Sequence, residues 1–264
     1  MHKFSEERKA AIIEQLPQLI SEEYTSKQIA DILSISATTV HRYCKRLGLN
    51  IPNYHNSLKF DNTIFDTIDT EDKAYWLGFL YADGNVNSKS NSVTISLAKK
   101  DYDHLRKFNT FIKNNGKTYE GNCGNYEHTT ISICNKHLKE RLIELGCKPK
   151  KSLTLKFPDL SIFKDNDLVY AFIRGYVDGD GCLTFSRNGR LSIQILGTKE
   201  FLEGIQAVFP GYLNLYKVKR LKSNTWTLNN CGNKADYVAT KLYKEAKIYL
   251  ERKYNRFVVL CRST

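Results

Sequence analysis

The 264-residue chain has no run of eighteen apolar residues, and its first residues, Met1 to Glu6, include no apolar stretch of the kind that opens a secretory signal. A membrane-spanning or Sec-secreted product is therefore not expected. Cysteine occurs seven times, from Cys44 to Cys261, but never as a C-x-x-C pair. That spacing offers neither a disulfide framework nor a structural zinc site. Cys123, Cys134 and His137 come nearest to a metal-ligand cluster without the spacing of one, and reduced thiols in a cytoplasmic protein are the expectation. Acid is scarce relative to base: 28 Asp and Glu face 40 Lys and Arg, for a formal charge of +12. A chain that is 41% hydrophobic and 12% aromatic can nonetheless bury a core, so a disordered polybasic tail is excluded. The length suits one large domain or a medium and a small one.

The surplus charge is concentrated. Residues 171–264 carry 16 basic and 7 acidic side chains, whereas residues 1–60 carry 8 and 6 and residues 61–170 carry 16 and 15. A basic surface gathered in one third of a folding chain points to a polyanionic partner, nucleic acid first.

Residues 1–50 read as a small all-α domain of three helical segments. The first starts at the N-cap candidate Ser5 and runs through Ala10, Ile13, Leu16 and Ile20, with Pro17 expected to bend or split it. A short second segment carries Ile29, Ala30 and Leu33. The third spans Ala37 to Leu47 and closes on Gly48. The pattern resembles a helix-turn-helix: Ala30 permits a close helix crossing, and Val40 and Tyr43 form an inner face. Ser34 stands where such motifs usually place Gly. The outward side then presents Thr38, Thr39, His41, Arg42, Lys45 and Arg46, a set suited to a DNA groove and its phosphates. Residues 51–70 are polar and aperiodic and read as a linker.

From residue 71 one pattern occurs twice. Tyr75-Trp76-Leu77-Gly78-Phe79-Leu80-Tyr81-Ala82-Asp83-Gly84 is matched, 97 residues on, by Phe172-Ile173-Arg174-Gly175-Tyr176-Val177-Asp178-Gly179-Asp180-Gly181. Each copy leads into an alternating strand (Val93, Ile95 and Leu97; Leu191, Ile193 and Ile195) and then a charged helix. Further strands follow, and an Asn-Lys pair (Asn135-Lys136; Asn233-Lys234) opens a last helix in each. A near-constant offset over several elements indicates duplication, with repeat one at 71–168 and repeat two at 169–264.

Within each copy two small residues lie four apart, Gly78 and Ala82, Gly175 and Gly179, so they share a helical face and let the two helices pack closely on each other. Asp83 and Asp180 then fall at helix C-termini, where the macrodipole already disfavours negative charge. Two such ends brought together repel, and a divalent cation between the carboxylates removes the conflict. Mg²⁺ suits hard oxygen ligands of this kind, and it can polarise a phosphoryl oxygen and activate water.

Trp76 to Gly84 and Ile173 to Gly181 resemble the paired signature motifs of LAGLIDADG homing endonucleases in their two-repeat, single-chain form. The resemblance covers residues 71–264. It implies an α+β fold, with two pseudo-symmetric α/β repeats forming a DNA-binding β-saddle behind the leading helix-turn-helix. It also implies a monomer that hydrolyses phosphodiesters in both strands of a long DNA target. Asp83 and Asp180 would be the catalytic metal ligands for Mg²⁺, with Mn²⁺ or Ca²⁺ able to occupy the same site. The sixth motif residue, Tyr81 in one copy and Asp178 in the other, varies in the family, and Asp178 is expected to be structural. The family also places a basic residue late in each repeat near a scissile phosphate. Lys151 and Lys253 are the choices here, with Lys150 and Arg252 their neighbours.

Contacts to double-stranded DNA would come from the outward strand faces, through Ser92, Thr94 and Ser96 in the first repeat and Ser192 and Gln194 in the second. Arg187, Arg190, Lys217, Lys219, Arg220 and Lys222 would meet phosphates or bases. The chain starts on neither Cys nor Ser and does not end in His-Asn, so a free-standing or intron-encoded product is expected rather than an intein. A non-cutting DNA-binding regulator, or a maturase acting on host intron RNA, stands as the alternative.

Overall fold

The computed structural model describes residues 5–22, 24, 26–50, 60–114, 118–123, 126–218 and 225–263. They fall into two compact units, residues 1–59 and 60–264.

The first unit holds three helices, α1 (Glu6–Ser21), α2 (Ser26–Ile32) and α3 (Ala37–Leu47). The Ser5 side chain accepts from the Arg8 amide and the Ser36 side chain from the Thr39 amide, so both long helices start on hydroxyl caps. Helix α1 runs through Pro17 rather than splitting there. Ile12 and Leu16, one turn apart and both buried, hold its two halves on a common core with Ile29, Ala30, Leu33, Val40, Tyr43 and Cys44. The turn between α2 and α3 places Ser34 at φ 50°, in the left-handed region that glycine occupies without cost.

The second unit opens earlier than the sequence pattern suggests. Residues 60–70, expected to lie in a linker, are part of its core: Phe65 and Ile68 are buried, the Phe65 ring meets Phe111 edge-on at 5.7 Å, and Ile68 bridges Phe163. Phe60, Ile64, Phe65 and Ile68 all pack on this core, but from turns and a single bridge rather than a helix or strand, so their spacing signals no regular element. Residues 51–59 of the expected linker lie outside the described residues.

Each repeat then follows one plan. Helix α4 (Glu71–Asp83) leads to β1 (Gly84–Val86), β2 (Ser92–Ala98), α5 (Tyr102–Phe111), β3 (Tyr119–Cys123), β4 (Tyr126–Cys134) and α6 (Lys136–Glu144). Helix α7 (Asn166–Asp180) leads to β5 (Gly181–Phe185), β6 (Leu191–Gly197), α8 (Lys199–Val208), β7 (Asn214–Lys217), β8 (Trp226–Cys231) and α9 (Asn233–Tyr243), and α10 (Glu251–Ser263) follows. The two antiparallel sheets have matching strand orders, β1-β2-β4-β3 and β5-β6-β8-β7. Helix α7 begins ahead of the repeat boundary expected at residue 169 because Asp165 caps it, accepting from the Leu168 amide as Thr70 accepts from Lys73 at the start of α4.

Helices α4 and α7 are buried along most of their lengths and pack directly on each other. A Cβ on Gly78 would sit 1.9 Å from the Phe172 carbonyl oxygen, and one on Gly175 would sit 1.9 Å from that of Tyr75. The backbones therefore touch at equivalent points of the duplication, which only glycine permits. At the far end of this seam Arg174, almost fully buried, donates to the carbonyls of Leu242 and Ile248 and pairs with Glu71 at 2.5 Å. Alternation does the rest. Val93, Ile95 and Leu97 of β2 and Leu191, Ile193 and Ile195 of β6 turn inward under the helices, and their neighbours turn out.

Candidate active site

Both motif helices stop on Asp-Gly and pass straight into a strand. The Gly84 amide donates to the Leu80 carbonyl and the Gly181 amide to that of Val177, and the backbone then turns to an extended conformation. A Cβ at Gly84 would lie 2.5 Å from the Leu80 oxygen, and one at Gly181 would lie 2.6 Å from the Val177 oxygen. Side chains are excluded there, so each aspartate is delivered at a fixed helix end.

Close packing of the seam brings the two ends together. A Cβ on Gly179 would lie 2.3 Å from the Ala82 Cβ and 3.1 Å from Oδ2 of Asp83, so the Asp83 carboxylate rests against the last turn of α7. Burial, with the Asp180 charge beside it, raises the Asp83 carboxyl to about 6. Burial also raises Asp180, opposed by Lys151, by Lys253 and by the Tyr176 hydroxyl one turn back. That hydroxyl donates to the Leu196 carbonyl at 2.9 Å. Its counterpart in the first copy is Phe79, so the two carboxylates have different surroundings.

Lys151 and Lys253 both turn toward these helix ends. Lys151 Nζ donates to the Gly84 carbonyl. Lys253 Nζ donates to the carbonyls of Val177, Asp178 and Gly181, each at 2.6 Å, and lies 3.3 Å from that of Gly179. Helix C-termini leave carbonyls without partners and carry partial negative charge, so an ammonium is suited to the place. The bonds to Gly84 and Gly181 occupy equivalent positions in the two repeats. Burial draws the Lys253 ammonium down to about 8, with Asp178 pulling the other way. Their neighbours point elsewhere: Lys150 is exposed and Arg252 pairs with Asp101 at 3.1 Å. A cavity of about 250 Å³ opens beside Asp180, lined by Tyr81, Lys151, Tyr176 and Thr198 among others.

Asp178 is fully buried and belongs to a separate network. Its Oδ2 accepts from the Tyr75 hydroxyl and the Leu250 amide and its Oδ1 from the Tyr243 hydroxyl, all at 2.7 Å. The Tyr75 hydroxyl is also 2.9 Å from Nε2 of His104, which burial keeps neutral by drawing it down to about 3.

Ser92, Thr94, Ser96, Ser192 and Gln194 lie on the outward sheet faces, and Arg187, Arg190 and Lys217 are exposed at the rim of the second sheet. Lys219, Arg220 and Lys222 lie outside the described residues. On α3, Thr38, Arg42, Lys45 and Arg46 are exposed, whereas the Thr39 hydroxyl is 2.8 Å from the Ser36 cap. Cys134 is exposed and His137 turns to Asp66 at 2.8 Å, and the Cys123 side chain lies outside the description. Among the described residues no group of three or more His, Cys, Asp and Glu could hold a metal.

Sequence reasoning missed several neighbours. Thr94 faces Ser132, Ser96 faces Thr130 and Gln194 faces Asn229, so the outward faces are two strands deep. The alternation of Thr130 and Ser132 with buried Ile131 and Ile133 was the available signal. Tyr176 was legible as a residue buried at the helix seam, but not as a neighbour of Asp180.

Two α/β repeats that meet on a glycine-lined helix pair, each helix ending in Asp-Gly before a four-stranded sheet, form the two-repeat LAGLIDADG fold; a small helical unit precedes it in this chain. Among solved structures the chain is similar to the meganuclease I-SmaMI bound to uncleaveable DNA, at 14% identity and a TM-score of 0.47, with 72% of this chain and 88% of that one covered. It is also similar to the I-LtrWI LAGLIDADG homing endonuclease bound to target DNA, at 11% identity and a TM-score of 0.49, with 72% and 90% covered. In sequence the chain is 28% identical over 184 residues to the DNA-directed RNA polymerase subunit Rpo1C of Methanocaldococcus jannaschii. The match takes in 69% of this chain and spans about a fifth, 19%, of that subunit's length. No protein-family profile matches the chain.

Proposed function

We propose that the chain is a site-specific DNA endonuclease of the homing type, cutting both strands of a long duplex target by divalent-metal-dependent phosphodiester hydrolysis. The observation that carries this reading is the convergence of Asp83, Asp180, Lys151 and Lys253 at the paired ends of two duplicated helices. Two neighbouring carboxylates, the half-buried Asp83 raised in proton affinity by burial and by the charge of Asp180, with hard oxygen donors only, fit a small divalent cation. Asp83 and Asp180 would hold Mg²⁺, which when bound supplies charge neutralisation and a more acidic water. The lysines would stabilise negative charge gathering on the phosphate.

The outward sheet faces, with Ser92, Thr94, Ser96, Ser192 and Gln194, would read a groove, and Arg187, Arg190 and Lys217 would hold phosphates. Lys219, Arg220 and Lys222 of the same basic stretch would join them. Thr38, Thr39, Arg42, Lys45 and Arg46 of the leading unit would extend the footprint as a helix-turn-helix. One chain supplies both aspartates, so a monomer suffices. Six free cysteines among the described residues suit a reducing, cytoplasmic setting, and no helix among them is long and apolar enough to cross a membrane.

The test is to enrich duplexes bound by the protein from a randomised pool, clone them in plasmids, and incubate with Mg²⁺ or EDTA. Linear product should form with Mg²⁺ only and disappear in Asp83→Asn and Asp180→Asn. Enriched targets that stay uncut with Mg²⁺, Mn²⁺ or Ca²⁺ would remove the nuclease reading and leave a DNA-binding protein.

A further inference from the structure

The sixth residue of each motif helix differs completely between the copies, yet both hold the segment that carries a lysine. In the first repeat the Tyr81 hydroxyl donates to the Leu145 carbonyl. Gly146 follows at φ 98°, where a Cβ would lie 2.1 Å from that same hydroxyl. Cys147 Sγ then donates to the Leu80 carbonyl at 3.4 Å. Residues 145–147 are thereby pinned to the last turn of α4, and Lys151 follows four residues later.

In the second repeat the Asp178 carboxylate accepts from the Leu250 amide at 2.7 Å. Leu250 is the first anchor of α10, since its carbonyl accepts from the amides of Lys253 at 2.9 Å and Tyr254 at 3.0 Å. Lys253 sits one turn from that anchor and reaches back to the carbonyls of α7.

The two links have opposite polarity. A phenol can donate a hydrogen bond to a carbonyl, and a carboxylate can accept one from an amide. The residue across the seam follows suit. Asp178 needs further donors and is met by the Tyr75 hydroxyl, with Tyr243 supplying another. Tyr81 needs none, and at the position equivalent to Tyr75 it meets Phe172, ring to ring at 5.0 Å. A buried carboxylate lacking such donors would be costly, and a phenol facing a second hydroxyl would gain nothing.

We infer that Tyr81 and Asp178 are positioning residues, each fixing the lysine of its own repeat against its helix end through a backbone anchor. For cleavage this rests on the nuclease reading above; for lysine placement it does not, and the experiment separates the two. Competitive trace acylation of the intact protein, read lysine by lysine by peptide mass spectrometry, reports how firmly each ammonium is held. Asp178→Asn should raise the labelling rate of Lys253 about tenfold, the loss expected when one charged hydrogen bond goes, and leave Lys151 unchanged. Tyr81→Phe should raise Lys151 and leave Lys253 unchanged. Tyr243→Phe, a milder change at the same carboxylate, should raise Lys253 by a smaller factor. Both lysines rising together in each variant, or neither rising in variants that keep the wild-type circular dichroism, would overturn the assignment.

On a cleavable plasmid, Asp178→Asn and Lys253→Met should slow the same strand and accumulate nicked circles, and Tyr81→Phe and Lys151→Met should slow the other. Equal slowing of both strands is the signature of general loosening and would also overturn it. A wild-type protein that cuts nothing ends the nuclease reading, and the labelling result still decides the placement.

Discussion

Exchanging one methyl group across the seam tests how α4 and α7 are fitted together. Ala82 and Gly179 are equivalent residues of the two copies and lie opposite each other. A Cβ built on Gly179 is only 2.3 Å from the Ala82 Cβ, and this seam has no slack elsewhere, because backbone meets backbone at Gly78 and Gly175. Gly179→Ala alone must therefore force the helices apart by more than an ångström. Overpacking of this kind costs about 3 kcal/mol, offset by about 1 kcal/mol of helix propensity, for a net loss of about 2 kcal/mol. Ala82→Gly alone forfeits about 1 kcal/mol of propensity and about 1 kcal/mol for the vacated methyl. Added independently, the pair would cost about 4 kcal/mol. In the double variant the propensity changes cancel and the methyl occupies the vacated space, so the loss should be about 1 kcal/mol or less, a coupling near 3 kcal/mol. The remaining contact, 3.1 Å to Oδ2 of Asp83, can relax by moving the carboxylate. Urea unfolding of the four proteins measures the cycle. If the double variant is additive to within about 0.5 kcal/mol, the close approach does not govern the seam. Recovery of stability without recovery of cleavage would show that the displaced Asp83 carboxylate is the functional group.

Three further outcomes are expected. Native Asp83 keeps its proton to about pH 6 whereas the unfolded chain releases it near 3.8, so this group's stabilisation is full below 3.8 and lost as pH rises through 6. Asp83→Asn should thus match wild type near pH 4 and exceed it above pH 7 by up to about 3 kcal/mol, less what solvent screening removes; thermal unfolding in EDTA reads the difference, and a gap independent of pH would contradict it. Ser34→Gly should relieve the left-handed strain at φ 50° and stabilise the leading unit by about 1 kcal/mol; hydrogen exchange of α2 and α3 amides should slow about fivefold, and faster exchange would contradict it. Because Arg187, Arg190 and Lys217 flank the second sheet, binding to the second half-site should have the steeper salt dependence, with a log–log slope larger by about 0.9 for each phosphate held. Equal slopes on duplexes carrying either half-site alone would remove that expectation.

The parts legible in the sequence are those written twice. Helix lengths, the small-residue faces and the inward strand residues follow from a pattern repeated at a fixed offset, and the Asp-Gly ends follow from composition at a helix terminus. The lysines could be chosen from the late basic position that the family resemblance implies, but the carbonyls they hold could not, because those depend on how a helix end meets a segment about seventy residues later. Residues 60–70 were misread for a related reason: Phe65 and Ile68 are buried by partners at 111 and 163, not by anything in their own stretch. Asp178 is the plainest case. Its burial against Tyr75, 103 residues earlier, cannot be seen in a motif where the same position holds Tyr81.

The Tyr75 hydroxyl comes from the first copy and completes a carboxylate environment in the second. The repeats are thus not interchangeable modules. A chimaera that grafts residues 166–263 onto a foreign first half, or a homodimer built from the second half alone, inherits a buried carboxylate short of a donor unless tyrosine is supplied opposite it. Recombination between such genes would have to carry the seam residues of both helices together, so the inherited unit is the pair of facing helices rather than either repeat.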